Sequence, residues 1–430
     1  MAWDFETDPA FQKDLDWIDR FVREEVEPLD LLLASPYAVN DPERNRLVKP
    51  LQAEVRRRGL WACHLGPELG GPGYGQLKLA LMNELLGRSA FAPTVFGCQA
   101  PDSGNAEILA RYGTDAQKRR YLEPLLANDI VSCFAMTEPQ SGSDPLLFTT
   151  KAVRDGDHWV LDGQKWFASN ANYAAFYITL AVTDPDAAPH RRMSCFIVPA
   201  ETPGIERIRD VHVAGRRADG HSHGYLQFRN LRVPADHMLG APGEAFAVAQ
   251  ARLGGGRIHH AMRTIGEARK ALDMMCERAV SRPARRGTLA DKQLVQAMVA
   301  DSWIQLEQFR LLVLRTAWLI DKHDDYKVAR KHISAVKAAM PKVLHDIVSR
   351  AIQLHGSLGV SDEMPFVEQL VSSYVMGIAD GPTEVHQVVL AKELLAAVKP
   401  ADGLFPSRHR PALRERALAA KGRAKASNPA

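Results

Sequence analysis

The chain has few cysteines and no pattern among them. The five, Cys63, Cys98, Cys133, Cys195 and Cys276, are scattered and form no Cys-x-x-Cys pair. An odd, dispersed set fits reduced thiols better than a disulfide framework. An excess of charge of one sign is also missing. The formal net charge is +3 over 430 residues, so bulk electrostatics point to no nucleic-acid partner. No apolar run reaches the roughly 18–20 residues that a membrane-spanning helix needs. The opening Met1-Ala2-Trp3-Asp4-Phe5-Glu6 has neither a basic n-region nor an apolar h-region, so no signal peptide is expected. Together these absences predict a soluble, cytoplasmic protein without a membrane span. No internal repeat stands out.

What is present is ordinary globular material in an unusual order. Hydrophobic residues make up 46% and charged residues 24%, and the length predicts two or three domains. Phe11, Leu15, Ile18, Val22 and Val26 recur at helical steps, and a second helix is expected from Leu77 to Gly87. Between them lies a Gly/Pro-rich break over Gly66–Gly75. From about Cys133 to Leu239 the signals change to strands. Asp155-Gly156 and Asp162-Gly163 both read as hairpin turns, with strands over Tyr173–Thr183, Met193–Pro199 and Tyr225–Pro234. After Gly243 helical periodicity returns. Val295, Val299, Leu306, Phe309, Val313 and Ile320 share one face, as do Ile333, Val336, Met340, Val343, Ile347 and Leu354, with Pro341 a kink and Gly356 a C-cap. The expected fold is α+β and mostly α. A helical domain covers 1–132, an antiparallel β domain 133–243 and a four-helix-bundle domain 244–398. A basic, flexible tail is expected over 399–430.

Two segments carry chemistry. Phe134-Ala135-Met136-Thr137-Glu138-Pro139-Gln140-Ser141-Gly142-Ser143-Asp144 is a turn rich in hydroxyls, able to present N–H and O–H groups to a heteroatom ring or a pyrophosphate. Gly163-Gln164-Lys165-Trp166-Phe167-Ala168-Ser169-Asn170 sets two aromatics just after a turn and a hydroxyl two residues on. Read alone, the first is equally an ordinary Ser/Gly/Asp loop and the second an ordinary core strand.

Taken together, with their spacing and the helical–β–helical order, they resemble the acyl-CoA dehydrogenase family from about Phe5 to Val398. The resemblance implies FAD as cofactor. It places Thr137 at the flavin ring, Ser143 at the pyrophosphate and Ser169 near flavin N5. The family's ring-stacking Trp falls on Phe167, a departure, with Trp166 one position earlier. Arg282 and Gln293 match residues reaching the FAD of a neighbouring subunit, although the aromatic usual three residues after that Arg is Arg285 here. Gln353-Leu354-His355-Gly356-Ser357-Leu358-Gly359 matches the stretch at the adenosine-pyrophosphate side. The cofactor-binding set implied is Met136, Thr137, Gly142, Ser143, Trp166, Phe167, Ser169, Arg282, Gln293, Gln353, Gly356, Ser357, Pro382 and Glu384.

The family's catalytic Glu falls on Asp380, in Ala379-Asp380-Gly381-Pro382-Thr383-Glu384. Read without the resemblance, Asp-Gly-Pro is a turn whose Asp caps the next helix. A thioester α-proton is weakly acidic, so its removal calls for a positioned carboxylate with a pKa raised by desolvation. Asp is one methylene shorter than Glu, and the alternative position some members use for the base is Gly256. Glu384 is a minor candidate for the role. Arg257 and Gly381 are the implied substrate-binding residues, and the Asp often found three residues before that Arg is Gly254. His259 and His260 read as core or surface histidines, and no metal site is expected. Arg282, Arg285 and Arg286 read equally as a solvated helix end or as a phosphate clamp.

The run Gly256-Arg257-Ile258-His259-His260 and the Asp-Gly-Pro stretch resemble a subgroup whose vertebrate members carry an N-terminal aminoglycoside-phosphotransferase-like domain, which is expected to be absent here. That subgroup implies long, branched or 4-hydroxylated acyl-CoA substrates and a place in fatty acid metabolism. The implied reaction is α,β-dehydrogenation of an acyl-CoA to the trans-2-enoyl-CoA. An electron-transferring flavoprotein would be the acceptor and the enzyme a homodimer or homotetramer. Two alternatives stay open: a flavin oxidase of a small carbon acid, similar to nitroalkane oxidases with their Asp base, and a non-catalytic flavin-binding subunit.

Overall fold

A computed structural model describes residues 6–213 and 223–426. The chain divides into two compact units, Met1–Gln387 and Val388–Ala430. The principal elements before the sheet are α1 (Pro9–Phe21), α2 (Pro42–Arg57), α3 (Gly75–Leu86) and α4 (Asp102–Tyr112). Asp8 starts α1 by accepting from the Phe11 N–H, with Pro9 in the first turn where its missing N–H costs nothing. Of the expected apolar stripe, Phe11, Ile18, Val22 and Val26 are buried.

Eight strands follow: β1 (Ser132–Ala135), β2 (Lys151–Asp155), β3 (His158–Ser169), β4 (Phe176–Val182), β5 (Met193–Pro199), β6 (Ile205–Val211), β7 (His223–Pro234) and β8 (Met238–Leu239). They form one sheet in the order β6-β7-β3-β2-β4-β5-β8, with β1 added against β4. Pairing is antiparallel except that β1 and the start of β2 lie parallel to β4. Asp155-Gly156 is the hairpin expected, since Asp155 pairs with His158 across a two-residue loop and Gly156 has φ 59°. Asp162-Gly163 is not a turn. β3 runs straight through it, with a register shift against β7 between Leu161 and Gly163. A Cβ on Gly163 would stand 2.6 Å from the Thr150 Cα, so this glycine serves a close backbone approach inside a strand.

After the sheet come α5 (Ala245–Ser281), α6 (Gln293–His323), α7 (Arg330–His355), α8 (Phe366–Ile378) and α9 (Thr383–Ala396). The helices before and after the sheet share one core, in which Phe11, Val48, Leu79 and Phe96 join Ile258, Leu306, Val336 and Phe366. A second cluster packs α4 and the start of α5 on one sheet face, through Leu109, Phe176, Ile197 and Val248. α5, 37 residues long, therefore touches both clusters and carries residues from the sheet to the bundle.

The second unit contains one further helix, α10 (Arg410–Ala426), within the stretch the sequence predicts to be a basic, flexible tail. Its Ala, Arg and Lys content favours helix even without an apolar face to bury.

The two chemically loaded segments are fastened by a buried ion pair. Lys165 Nζ donates to Glu138 Oε1 at 2.9 Å, and the two side chains are 0% and 1% exposed. Glu138 also accepts from the Thr149 and Thr150 N–H groups, and Lys165 donates to the Met136 carbonyl at 3.1 Å. Burial works to raise the Glu138 pKa, but Lys165 and these donors outweigh it and hold it down to about 2. Because the folded value lies below the unfolded one, the pair's contribution is complete above about pH 4.5 and fades as pH falls toward 2. Glu138→Gln should cost about 3–5 kcal/mol, since it strands Lys165 as a buried charge. Urea unfolding at pH 7 measures this, and a loss below about 1 kcal/mol would contradict the clamp.

Candidate active site

Asp380 follows α8 at a point where the chain turns back sharply. Lys337, on α7, donates its ammonium to the Met376 carbonyl, and the Thr383 hydroxyl donates to the Gly377 carbonyl at 3.3 Å. The last carbonyls of α8 are thus satisfied by side chains, and the chain leaves through Asp380 at φ 56° and Gly381 at φ 106°. A Cβ on Gly381 would lie 2.8 Å from His386 Nε2, which reserves that position for glycine. Arg257 Nε donates to the Asp380 carbonyl at 2.9 Å, and His386 Nε2 lies 3.4 Å from the same oxygen. The left-handed conformation of Asp380 is therefore over-determined by its neighbours.

The carboxylate points at one stripe of α5. Residues 252, 256 and 260 are one turn apart on that helix. At the middle position a Cβ would come 3.1 Å from Asp380 Oδ2, so Gly256 leaves the room the carboxylate occupies. His260 Nε2 lies 3.6 Å from Asp380 Oδ2. His259 faces elsewhere, 3.2 Å from Gln76 Oε1, as adjacent helix residues must. Burial works to raise the Asp380 pKa, while His260, Arg252, Arg257 and Lys337 together lower it below its ordinary value. The expectation of a raised pKa is therefore corrected: four cations or potential cations surround one carboxylate, and at neutral pH it is ionised. Burial in turn lowers Lys337 to about 8 and His260 to about 4, each opposed by Asp380.

At the sheet, the Trp166 N–H donates to the Thr137 carbonyl at 2.9 Å, so the two expected flavin segments lie side by side. β3 bulges between Lys165 and Ala168, and Phe167 sits in the bulge with φ 52°. This turns Phe167 outward, 41% exposed. Trp166 is committed to the protein: its ring meets Tyr225 edge-on at 5.1 Å and the Arg209 guanidinium stands 5.1 Å from its centroid. Ser169 Oγ lies 3.0 Å from His223 Nδ1. The turn after Thr137 closes through reciprocal Glu138 and Ser141 backbone hydrogen bonds, leaving Gly142 and Ser143 exposed. Met136 is half-buried beside Lys165, which bonds its carbonyl.

The remaining expected residues lie apart from this group. Arg282 and Gln293 are exposed at the end of α5 and the start of α6, and Arg282 is about 37 Å along α5 from Arg257 at 1.5 Å per residue. Gln353, Gly356 and Ser357 are exposed at the end of α7, and Glu384 is exposed beside the half-buried Pro382. Sequence reasoning passed over Arg252, Lys337 and His386, and read His260 as inert. Only the α5 spacing of residues 252, 256 and 260 hinted at a shared face. Lys337 had no local signal, and His386 closes the run Ala379-Asp380-Gly381-Pro382-Thr383-Glu384-Val385-His386, where it was given no role.

The family models described as acyl-CoA dehydrogenase N-terminal, middle and C-terminal domains match residues 12–129, 133–231 and 243–395. FadE2 of Mycobacterium tuberculosis, assigned as an acyl-CoA dehydrogenase, is 41% identical over 357 residues, covering 82% of this chain and 86% of that protein. Acyl-CoA dehydrogenase family member 11 of Mus musculus is 39% identical over 391 residues, 89% of this chain. The chain spans only 50% of that relative's length. Among solved structures, butyryl-CoA dehydrogenase of Megasphaera elsdenii aligns with a TM-score of 0.77 at 26% identity, covering 91% of this chain and 100% of that one.

Burial pushes His64, His260 and His386 down to about 4 and His259 well below its ordinary value. The unfolded chain takes up protons near pH 6.5 that the folded state refuses, so stability falls as pH drops from about 6.5 toward 4. The expected loss is on the order of 1 kcal/mol or more per histidine by pH 5. Thermal melts between pH 7 and pH 5 test this, and a flat Tm over that range would count against it.

Proposed function

We propose that this chain, which belongs to the acyl-CoA dehydrogenase family, binds FAD and removes hydrogen from the α and β carbons of an acyl-CoA. The observation that carries the reading is the Asp380 carboxylate, ionised by surrounding cations and faced by a glycine. The residues at the sheet fit FAD. Phe167 offers an outward aromatic face, the Thr137 hydroxyl has no hydrogen-bond partner among the described residues, and Gly142 and Ser143 leave backbone open at the turn. Thr137, Ser143, Phe167 and Ser169 would hold the flavin end. The bound FAD supplies the acceptor for the β-hydrogen as hydride.

The chain's own residues do the rest. Asp380 takes the α-proton as a base that needs no prior deprotonation at pH 7. Arg257 and His386 hold its backbone, so the carboxylate turns about a fixed point. The Asp380 N–H has no partner among the described residues and is free to donate to the thioester carbonyl as negative charge develops there. Gly256 compensates for the shorter Asp by letting the carboxylate lie against α5. Arg282 and Gln293, exposed and far along the helices from Asp380, would serve the FAD of a neighbouring copy, which makes the working enzyme a homo-oligomer. An electron-transferring flavoprotein is the acceptor this reading implies.

Asp380→Asn should lower turnover by about 10³-fold or more while the protein stays yellow, because only the proton acceptor is lost. Anaerobic titration with a panel of acyl-CoAs should bleach the flavin. A colourless protein that FAD cannot reconstitute, or near-normal turnover of the Asn variant, would defeat the reading. Oxygen consumption with peroxide release in place of dye reduction would favour an oxidase. Gly256→Ala separates geometry from stability. Alanine should leave the melting temperature unchanged or raised, as the better helix former, and cut kcat about three- to tenfold by displacing the carboxylate.

A further inference from the structure

Arg252 sits one helical turn before Gly256, on the stripe that faces Asp380, and so far enters only as one of the charges that lower the Asp380 pKa. Its side chain is held on three sides. Nε donates to Asn105 Oδ1 at 2.8 Å. The guanidinium carbon stands 4.1 Å from the centre of the Phe134 ring. Its stem crosses Gly104, where a Cβ would lie 3.0 Å from the Arg252 Cγ. Asn105 cannot swing away, because its Nδ2 donates to Ser132 Oγ at 2.8 Å, and the Ser132 hydroxyl in turn donates to Asp102 Oδ1 at 2.6 Å. A chain of four polar side chains, Asp102, Ser132, Asn105 and Arg252, thus ends on the guanidinium.

The two terminal nitrogens of Arg252 have no hydrogen bond among the described residues, and no carboxylate forms an ion pair with it there. Asp380, Glu107 and Asp102 act on it only at longer range, and burial lowers its pKa below the usual arginine value. Asp102 is spent on Ser132 and Gln99. A half-buried guanidinium that is oriented through Nε and left open at its fork is held ready for a ligand with matching acceptors. The fork matches two oxygens of one anionic group. Along α5 it lies one turn, a rise of about 5.4 Å, from Gly256, the residue against the Asp380 carboxylate, and that rise is a few bonds of an extended acyl chain.

We infer that Arg252 is a specificity-determining residue that binds an anionic oxygen function, of the carboxylate class, carried on the acyl chain a few carbons beyond the reacting pair. Asn105 is its positioning residue. The inference rests on the acyl-CoA reading of the Asp380 site and names the substrate class for it. An unsubstituted acyl chain would leave the fork unmet, so the enzyme would prefer acyl thioesters with a second acidic end.

The test is calorimetric binding to the FAD-loaded enzyme of short ω-carboxyacyl-CoAs and unsubstituted acyl-CoAs of equal carbon number. The wild type should favour the carboxylated ligand by about 30-fold or more, the range of a buried charge-assisted pair. Arg252→Gln should abolish that preference, read as the ratio of the two affinities within the same variant. Arg252→Lys, which keeps the charge and loses the fork, should retain part of it. Equal affinity for the two ligands in the wild type overturns the inference, whether or not the variants fold. So does an equal loss of both ligands in Arg252→Gln, which would assign the guanidinium to Asp380 instead, and so does failure to bind either thioester. Flavin reduction in the same samples judges the dehydrogenase reading separately. Tight, carboxylate-selective binding without reduction would leave Arg252 in its role and remove the proposed reaction.

Discussion

The Glu138–Lys165 ion pair is the constraint on which the sheet side of the molecule depends. It is fully buried, and it joins a turn to a strand that are otherwise linked by one backbone hydrogen bond, from Trp166 to Thr137. A charge pair in such a place needs further hydrogen bonds, and here the Thr149, Thr150 and Met136 backbone groups supply them. Consequences follow on both sides. The 138–141 turn is pinned, so Thr137, Gly142 and Ser143 are presented in one place. On the other side, Lys165 is drawn inward, and the strand bulges immediately afterwards and turns Phe167 out. An outward aromatic at positive φ is strained, and the anchor at Lys165 is what holds it.

The Asp380 site rests on a different balance. One carboxylate is placed among Arg252, Arg257, Lys337 and His260, so desolvation loses to nearby positive charge. The result is a buried carboxylate that is ionised at neutral pH. The shorter side chain is accommodated by backbone. Asp380 and Gly381 both take positive φ, and Gly256 yields the space a side chain would fill.

Much of the architecture was legible locally. The stripe from Phe11 to Val26, the two long helices around Leu306 and Met340, and the strand over Met193–Pro199 follow from periodicity, because each buries one face against a neighbour. The failures have physical causes. Asp162-Gly163 carries turn chemistry, yet Thr150 passes too close for any side chain and the pair becomes a strand bulge. Ala, Arg and Lys near the C-terminus lack an apolar face, and as good helix formers they still build Arg410–Ala426. The resemblance places the ring-stacking position on Phe167, and it is the bulge that sends Trp166 against Tyr225 and Phe167 outward.

The sequence by itself determined the order of helical and β segments, the two hydroxyl- and aromatic-bearing segments, and the acidic residue in Asp380-Gly381-Pro382. All of these are local patterns, read within a dozen residues. Tertiary structure alone decided what surrounds that acid. Arg252, His260, Lys337 and His386 come from three helices and meet only because α5 and α7 pack together beside the end of α8. The ionisation of a buried carboxylate is a sum over neighbours distant in sequence, and no spacing along the chain can report it.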